Sequence, residues 1–348
     1  WHWPVIIFYK SYFGAPIAPA TMIGLGAVSF ALAILSYAYV ERPTRRIQGS
    51  GRSMVIAGVL GMIVLVLFSN IAKRAEKSPW RMVNNLDEQT VTANPYYYLC
   101  AKEGGAYDTK SCIIGPHPDR YEVILTGDSH AAHFIPTVLG WAKSRDLTTR
   151  IFLRGNCRTF VEEEQPVIHQ GKVDTYCTQL TTDFYKTLSQ DRPHIQYIFT
   201  SLFLPRADRP LERAFSKLSG FHKKIYYLGD GAIFDHHPIE CEIQNSLLIS
   251  KIFPKPHVDC FAWNKTYMDH RFAQSTETLT PLLRKFGVRY IDFRIDMKTP
   301  FDAQGHFLFM DDNHMNNYGG IFLVPALIRH LKNERPNLSP DLEAYKNR

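Results

Sequence analysis

The sequence predicts an α/β protein: a parallel β-sheet sandwiched by helices, preceded by transmembrane helices. Two observations carry this prediction. After Arg120, short apolar or β-branched runs bounded by Gly, Pro, Asp or Asn alternate with stretches of helical period. Before it, two long uncharged stretches occupy the first 72 residues. The six cysteines all lie after residue 99, in the polar part of the chain. The length of 348 residues suits about two domains. Because the chain opens on Trp1 inside an apolar stretch, it reads as a piece of something longer.

Taken in order, Ser11 to Val40 carries no charged side chain, and 21–40 is almost wholly apolar, Gly or Ala. That is long enough to span a bilayer. Glu41-Arg42-Pro43-Thr44-Arg45-Arg46 stops it. Ser53 to Ala72 is a second candidate span, so the pair reads as a membrane hairpin, with a buried soluble helix pair as the alternative. Arginines 42, 45, 46 and 52 lie between the spans, and Lys73, Arg74, Lys77 and Arg81 follow, so positive charge does not orient them. The aromatic opening, Trp1-His2-Trp3-Pro4, looks like the interfacial end of an earlier membrane segment.

Residues 73–119 turn polar, with Asn94-Pro95, Gly104-Gly105 and Gly115-Pro116 as turn signals, and read as a linker pinned by Cys100 and Cys112. Strands are expected at 121–126, 149–154, 195–200, 224–228 and 289–293. Helices are expected at 130–145, 174–189, 210–220, 264–286 and, last, 317–332. Strands alternating with helices argue a parallel sheet covered on both faces. Its active site belongs at the carboxyl ends of the strands.

The even cysteine count without a CxxC pair argues against zinc or dithiol redox chemistry and for disulfides in an oxidising compartment. Neighbours in order (100–112, 157–177, 241–260) close the shortest loops; six buried thiols are the alternative. Disulfides would place residues 73–348 outside the cytoplasm. The net charge of +7 comes without a Lys/Arg run interleaved with aromatics, so nucleic acid is not an expected partner. Basic flanks of membrane segments, or anionic glycans, account for it.

Chemistry concentrates in two places. Gly127-Asp128-Ser129-His130 follows the first strand and opens a helical pattern. A serine there has an exposed hydroxyl and free backbone N–H groups beside it for an oxyanion. An ordinary helix cap looks the same. Asp311-Asp312-Asn313-His314 precedes the last helix. An Asp three residues before a His can hold the far N–H of the imidazole, freeing the ring to take a proton from a serine. Asp312 is the rival for that role, and a plain surface loop is the alternative for the motif.

Together, Gly127-Asp128-Ser129-His130 and Asp311-x-x-His314 resemble the first and last blocks of the SGNH hydrolase-like (flavodoxin-like) fold. The resemblance implies Ser129 as nucleophile, His314 as base and Asp311 as its orienting partner. It implies an oxyanion hole from the backbone of Ser129 and Gly155. The family's Gly-x-Asn block is missing: the chain reads Phe199-Thr200-Ser201-Leu202-Phe203 there. Thr200 or Ser201 is then a candidate third donor, or the two backbone groups serve alone.

A second resemblance lies at the front. Trp1-His2-Trp3-Pro4 and Glu41-Arg42-Pro43-x-Arg45 look like late transmembrane helices of the acyltransferase-3 family of membrane O-acyltransferases, some of which carry an SGNH domain behind a linker. It implies residues 1–72 as the end of an acyltransferase-3 domain, 73–119 as an extracytoplasmic linker, 120–335 as the SGNH domain and 336–348 as a tail. It further implies a multi-pass protein of a bacterial inner membrane, in contact with lipid and with an upstream acyltransferase-3 domain. The implied activity is O-acetylation of a surface polysaccharide, such as lipopolysaccharide O-antigen, with acetyl-CoA as ultimate donor. No cofactor or metal is expected in this segment. A membrane-anchored carbohydrate esterase and a non-catalytic glycan-binding domain are the alternatives.

Other polar residues draw weaker readings. His130 and His133 are expected to pack or face substrate, with His130 a possible wall of the site. His236, His237, His257 and Asp259 fit no zinc spacing, and Asp230, Asp235 and Asp296 read as loop carboxylates.

Overall fold

Five parallel strands, short and mostly apolar, build the scaffold of the computed structural model. It describes residues 1–13, 19–45, 51–75, 95–100, 112–162, 168–169, 172–190, 193–203, 207–229, 233–235, 237–239, 241 and 259–333. The chain divides into two units, Trp1–Asn85 with Pro238–Cys260, and Leu86–His237 with Phe261–Arg348.

In the first unit, α1 (His2–Phe13), α2 (Pro19–Ser36), a π-helical turn (Tyr37–Glu41), α3 (Arg42–Arg45) and α4 (Gly51–Ala75) follow in order. Their apolar side chains point outward: Ile23 is 77% exposed and Phe68 70%. Polar groups on these helices bond their own backbone. Ser29 Oγ donates to the Leu25 carbonyl at 2.7 Å, Thr44 Oγ1 to Val40 at 2.8 Å and Asn70 Nδ2 to Val66 at 2.8 Å. That is how polar groups are satisfied in hydrocarbon. Among the described residues, one helix, Pro19–Arg45, is long and apolar enough to cross a membrane. The second expected span offers a shorter apolar helix, Gly58–Ile71.

The second unit holds α5 (Pro95–Cys100) and a six-stranded sheet, with strands β1 (Ile113–Ile114), β2 (Val123–Gly127), β3 (Thr149–Leu153), β6 (Tyr197–Ser201), β7 (Lys224–Leu228) and β8 (Arg289–Ile291) in the order β1-β3-β2-β6-β7-β8. All pairs are parallel except the edge pair β1–β3. A separate hairpin joins β4 (Ile168–His169) to β5 (Lys172–Val173). Without the antiparallel edge, the order is the flavodoxin-like one, and β2 sits at the switch point where ligands bind such sheets. The edge strand β1 lies in the stretch expected to be linker. Two residues are too few to show an alternating pattern.

Alternation sorts the core. Ile124, Phe152, Ile198, Ile225 and Tyr227 face one side, where they meet α8 (Thr175–Gln190), α9 (Arg209–Ser219) and α11 (Thr280–Lys285) through Phe184, Phe215 and Leu283. On the other side Trp141 of α7 (Ile135–Lys143) lies edge-on to Tyr197 and Phe199 at 5.1 and 5.0 Å. Each fully buried ring of this kind contributes on the order of 2–3 kcal/mol.

Two expected helices are each broken in two, and a third runs its expected length with a π turn inside it. The first becomes α6 (Ser129–Ala132) and α7. The next keeps its length as α10 (Lys265–Gln274), a π turn and α11. The last becomes α12 (Asn317–Phe322) and α13 (Val324–His330). In every case the last piece starts with a proline, Pro136, Pro281 or Pro325, in its first turn. A proline has no N–H for the preceding turn, yet suits the start of a new helix. The three disulfides join Cys100–Cys112, Cys157–Cys177 and Cys241–Cys260, the sequential pairing expected from the spacing.

Candidate active site

The turn after β2 is shaped by Gly127, whose φ is +143°. A Cβ there would sit 2.1 Å from the Ser201 carbonyl oxygen and 2.6 Å from Ala131 Cβ. Only glycine fits such a turn. Asp128 follows in extended conformation and caps α6: its Oδ1 accepts from the His130 N–H at 2.9 Å. Its Oδ2 accepts from the Phe203 N–H at 2.7 Å, tying the turn to the end of β6. The helix-cap reading of this stretch is thus correct for Asp128, and the cap sets Ser129 on the first turn of α6. Level strand ends help, because Gly127 pairs with both Leu153 and Ser201.

The second half of the site comes from the loop before α12. Phe309 bridges Met315, and Met310 N–H donates to the His314 carbonyl at 2.9 Å, so the loop is a closed turn. Buried Asn316 clamps its base, donating from Nδ2 to the carbonyls of Phe307 (2.7 Å) and Phe309 (3.1 Å). Its Oδ1 caps α12 through the Gly319 N–H. Within the loop, Asp311 Oδ1 accepts from the N–H groups of Asn313 (2.9 Å) and His314 (2.6 Å). The remaining oxygen, Oδ2, meets His314 Nδ1 at 2.8 Å.

His314 Nε2 then lies 2.9 Å from Ser129 Oγ. A carboxylate only accepts, so Asp311 holds the ring proton on Nδ1 and leaves the Nε2 lone pair facing the serine hydroxyl. Burial by itself raises the Asp311 carboxyl. The His314 hydrogen bond and charge and the two backbone N–H groups outweigh burial and hold it below its ordinary 3.8. Asp312 instead accepts from Asn313 Nδ2 at 3.0 Å, while its carbonyl accepts from the Phe234 N–H.

Around this relay the expected residues separate into neighbours and outsiders. His130 is buried, stacked 4.4 Å from Phe203 and tilted 4.7 Å from His314. His133 packs edge-on to His130 and to His314, at 5.1 and 6.1 Å. Burial first, then those two neighbours, push its pKa well below 6.5, so it adds no charge. Gly155 is buried in the turn that follows β3, one strand over from Ser129. The hydroxyls of Thr200 and Ser201 are enclosed within the sheet, shut off from solvent. Asp296 binds Arg329 (2.8 Å) and His330 (3.1 Å), a structural role. Asp235 and His237 are described; Asp230, His236 and His257 lie outside the described residues. No group of three or more His, Cys, Asp or Glu among the described residues is placed to hold a metal ion.

Asn316 was not foreseen, although an Asn three residues before Gly319 at a helix start is a capping signal. The second bond of Asp128 has no local signal, since Phe203 is 75 residues away.

Comparison with known proteins gives matches of two kinds. A family described as "SGNH domain (fused to AT3 domains)" matches residues 99–329. No curated protein matches the chain. Among solved structures, the Salmonella ser. Paratyphi A lipopolysaccharide acetyltransferase periplasmic domain is similar at 14% identity and a TM-score of 0.46, over 64% of this chain and 85% of that one.

Proposed function

The chain belongs to the family of SGNH domains fused to AT3 domains, and from that premise we propose that it is an O-acetyltransferase working through an acyl-enzyme on Ser129. The observation that carries the reading is the continuous relay of Ser129 Oγ, His314 and Asp311, at 2.9 and 2.8 Å. In the first half-reaction Ser129 Oγ attacks the acyl carbonyl carbon and its proton passes to His314 Nε2. Oxyanion charge develops against the backbone N–H groups of Ser129 and Gly155. The carbonyl reforms, the donor's leaving group departs with the proton from Nε2, and the acyl group stays on Oγ. A sugar hydroxyl then gives its proton to Nε2 and attacks. The ester moves to the sugar, and Ser129 regains a proton from the imidazolium.

The acceptor in this reading is a hydroxyl of a bacterial cell-surface polysaccharide, of the lipopolysaccharide O-antigen class. The acetyl group comes ultimately from acetyl-CoA through an upstream acyltransferase-3 membrane domain, whose last helices are residues 1–72. Residues 73–348 then face the periplasm. Support comes from the fusion partner that defines the family, from the apolar helix Pro19–Arg45 and from the three disulfides. Cells carrying Ser129→Ala should lose acetyl groups from their surface glycan, read by proton NMR of the extracted polysaccharide; unchanged acetylation refutes the proposal. For the purified full chain, acetyl transfer to sugar should exceed acetate release to water. The opposite balance makes it an esterase.

A further inference from the structure

The segment 154–161, which carries Gly155, is fastened on its outer side to two helices. Arg154 grips Asp174 ahead of α8 through Nε and Nη2, at 3.0 and 2.9 Å. Cys157 is bonded to Cys177 in α8. Arg158 makes a two-pronged contact with Asp208, the cap of α9, at 3.0 and 3.2 Å. Short backbone bonds, Cys157 N–H to Arg154, Thr159 N–H to Cys157 and Val161 N–H to Arg158, fold it tightly.

Thr159 bonds the segment to the nucleophile strand itself. Its side chain is fully buried. Oγ1 accepts from the Gly127 N–H at 2.8 Å and lies 2.7 Å from Thr126 Oγ1. Its own proton is within reach of the carbonyls of Phe152 (2.9 Å) and Gly127 (3.0 Å). One hydroxyl has a single proton and two lone pairs. Acceptance from Gly127 and Thr126, with donation to a carbonyl, uses all of them. These partners are the last two residues of β2, immediately ahead of Asp128-Ser129, and the penultimate residue of β3.

We propose that Thr159 is a positioning residue for the oxyanion hole: it sets where the Gly155 N–H stands relative to the Ser129 N–H. The inference rests on the acyl-enzyme reading above, in which those two groups share the developing charge. Without the hydroxyl, the segment stays anchored to α8 and α9 but is released from the Gly127 peptide. The two donors then lose their common reference. A misplacement of about 1 Å costs on the order of 100-fold in rate.

The test uses the full chain in detergent with p-nitrophenyl acetate as the probe. Thr159→Val fills the same space without the hydroxyl. Its kcat should fall about 10–100-fold with KM held within about twofold, because the loss is felt only as the oxyanion forms. The acid limb of its pH profile should stay in place, since His314 and Asp311 are untouched. Thr159→Ser, which keeps the hydroxyl, should restore kcat to within about threefold. A purely structural role would lower the unfolding temperature of Thr159→Val and leave kcat of the folded enzyme at the wild-type value; that result overturns the proposal. If Thr159→Val does not fold, Thr159→Ala assayed in the cold carries the same test, and wild-type kcat again overturns it. Ser129→Ala separates the two failures: if it keeps full activity, the acyl-enzyme reading itself falls, whatever Thr159 does.

Discussion

Replacing Asp311 by Asn tests the relay at the joint between carboxylate and imidazole. The two backbone N–H groups of Asn313 and His314, at 2.9 and 2.6 Å, both point at one side-chain oxygen. An asparagine must leave its carbonyl oxygen there, so its NH₂ takes the place of Oδ2, 2.8 Å from His314 Nδ1. An amide nitrogen donates only. The imidazole must then present its Nδ1 lone pair and carry its proton on Nε2, pointing at Ser129 Oγ. The base has become a donor, and Ser129 has nowhere to send its proton. The same replacement in another Ser-His-Asp enzyme lowers kcat about 10⁴-fold, or roughly 5.4 kcal/mol at 1.36 kcal/mol per tenfold. The assay is the initial rate of p-nitrophenyl acetate hydrolysis, with near-UV circular dichroism as the check on folding. Asp312→Asn is the control, because that carboxylate touches Asn313 Nδ2 and not the ring. It should stay within about threefold of wild type, as ordinary substitutions away from special features do. A folded Asp311→Asn enzyme within tenfold of wild type would refute the tautomer argument.

Two further outcomes follow from the same geometry. Gly127→Ala forces a Cβ to 2.1 Å from the Ser201 carbonyl oxygen at a φ of +143°, so thermal unfolding should show a loss of about 3 kcal/mol or more; a wild-type transition would mean the turn tolerates a side chain. His133 has a pKa depressed well below 6.5 by burial and by His130 and His314, so below that pH the unfolded chain takes up a proton that the folded chain refuses. Stability should therefore fall as pH drops from 6.5 toward the folded-state pKa, by up to about 1.4 kcal/mol per pH unit from this group. Urea unfolding of His133→Phe should lack that contribution, and an unchanged slope would count against it.

Much of the fold could be read from local pattern. The central strands are short, apolar and bounded by turn residues, and β7 runs over the residues predicted for it. The helix pattern misled at Pro136 and Pro325, because apolar periodicity continues through them while the hydrogen-bond ladder cannot; at Pro281 the helix continues by way of a π turn. β1 and the β4–β5 hairpin, of two residues per strand, are below the length at which a period exists.

The sequence by itself determined which residues are the candidates for the relay, because Gly127-Asp128-Ser129 and Asp311-x-x-His314 are contiguous motifs at strand and helix junctions. Their own peptide geometry does most of the local work: Asp128 caps its neighbour, and Asp311 holds a ring three residues on. It also favoured the sequential disulfides, since short loops are the least costly to close, and the structure forms them. Only the tertiary structure decided that Ser129 meets His314 across 185 residues, that Asp128 reaches Phe203, and that Thr159 bonds Gly127 across 32. Those contacts depend on strand order and level strand ends, which a parallel sheet settles by packing both faces at once. No spacing along the chain encodes them. The Gly127-Asp128-Ser129 turn could be recognised as a motif, but what holds the loops around it belongs to the sheet.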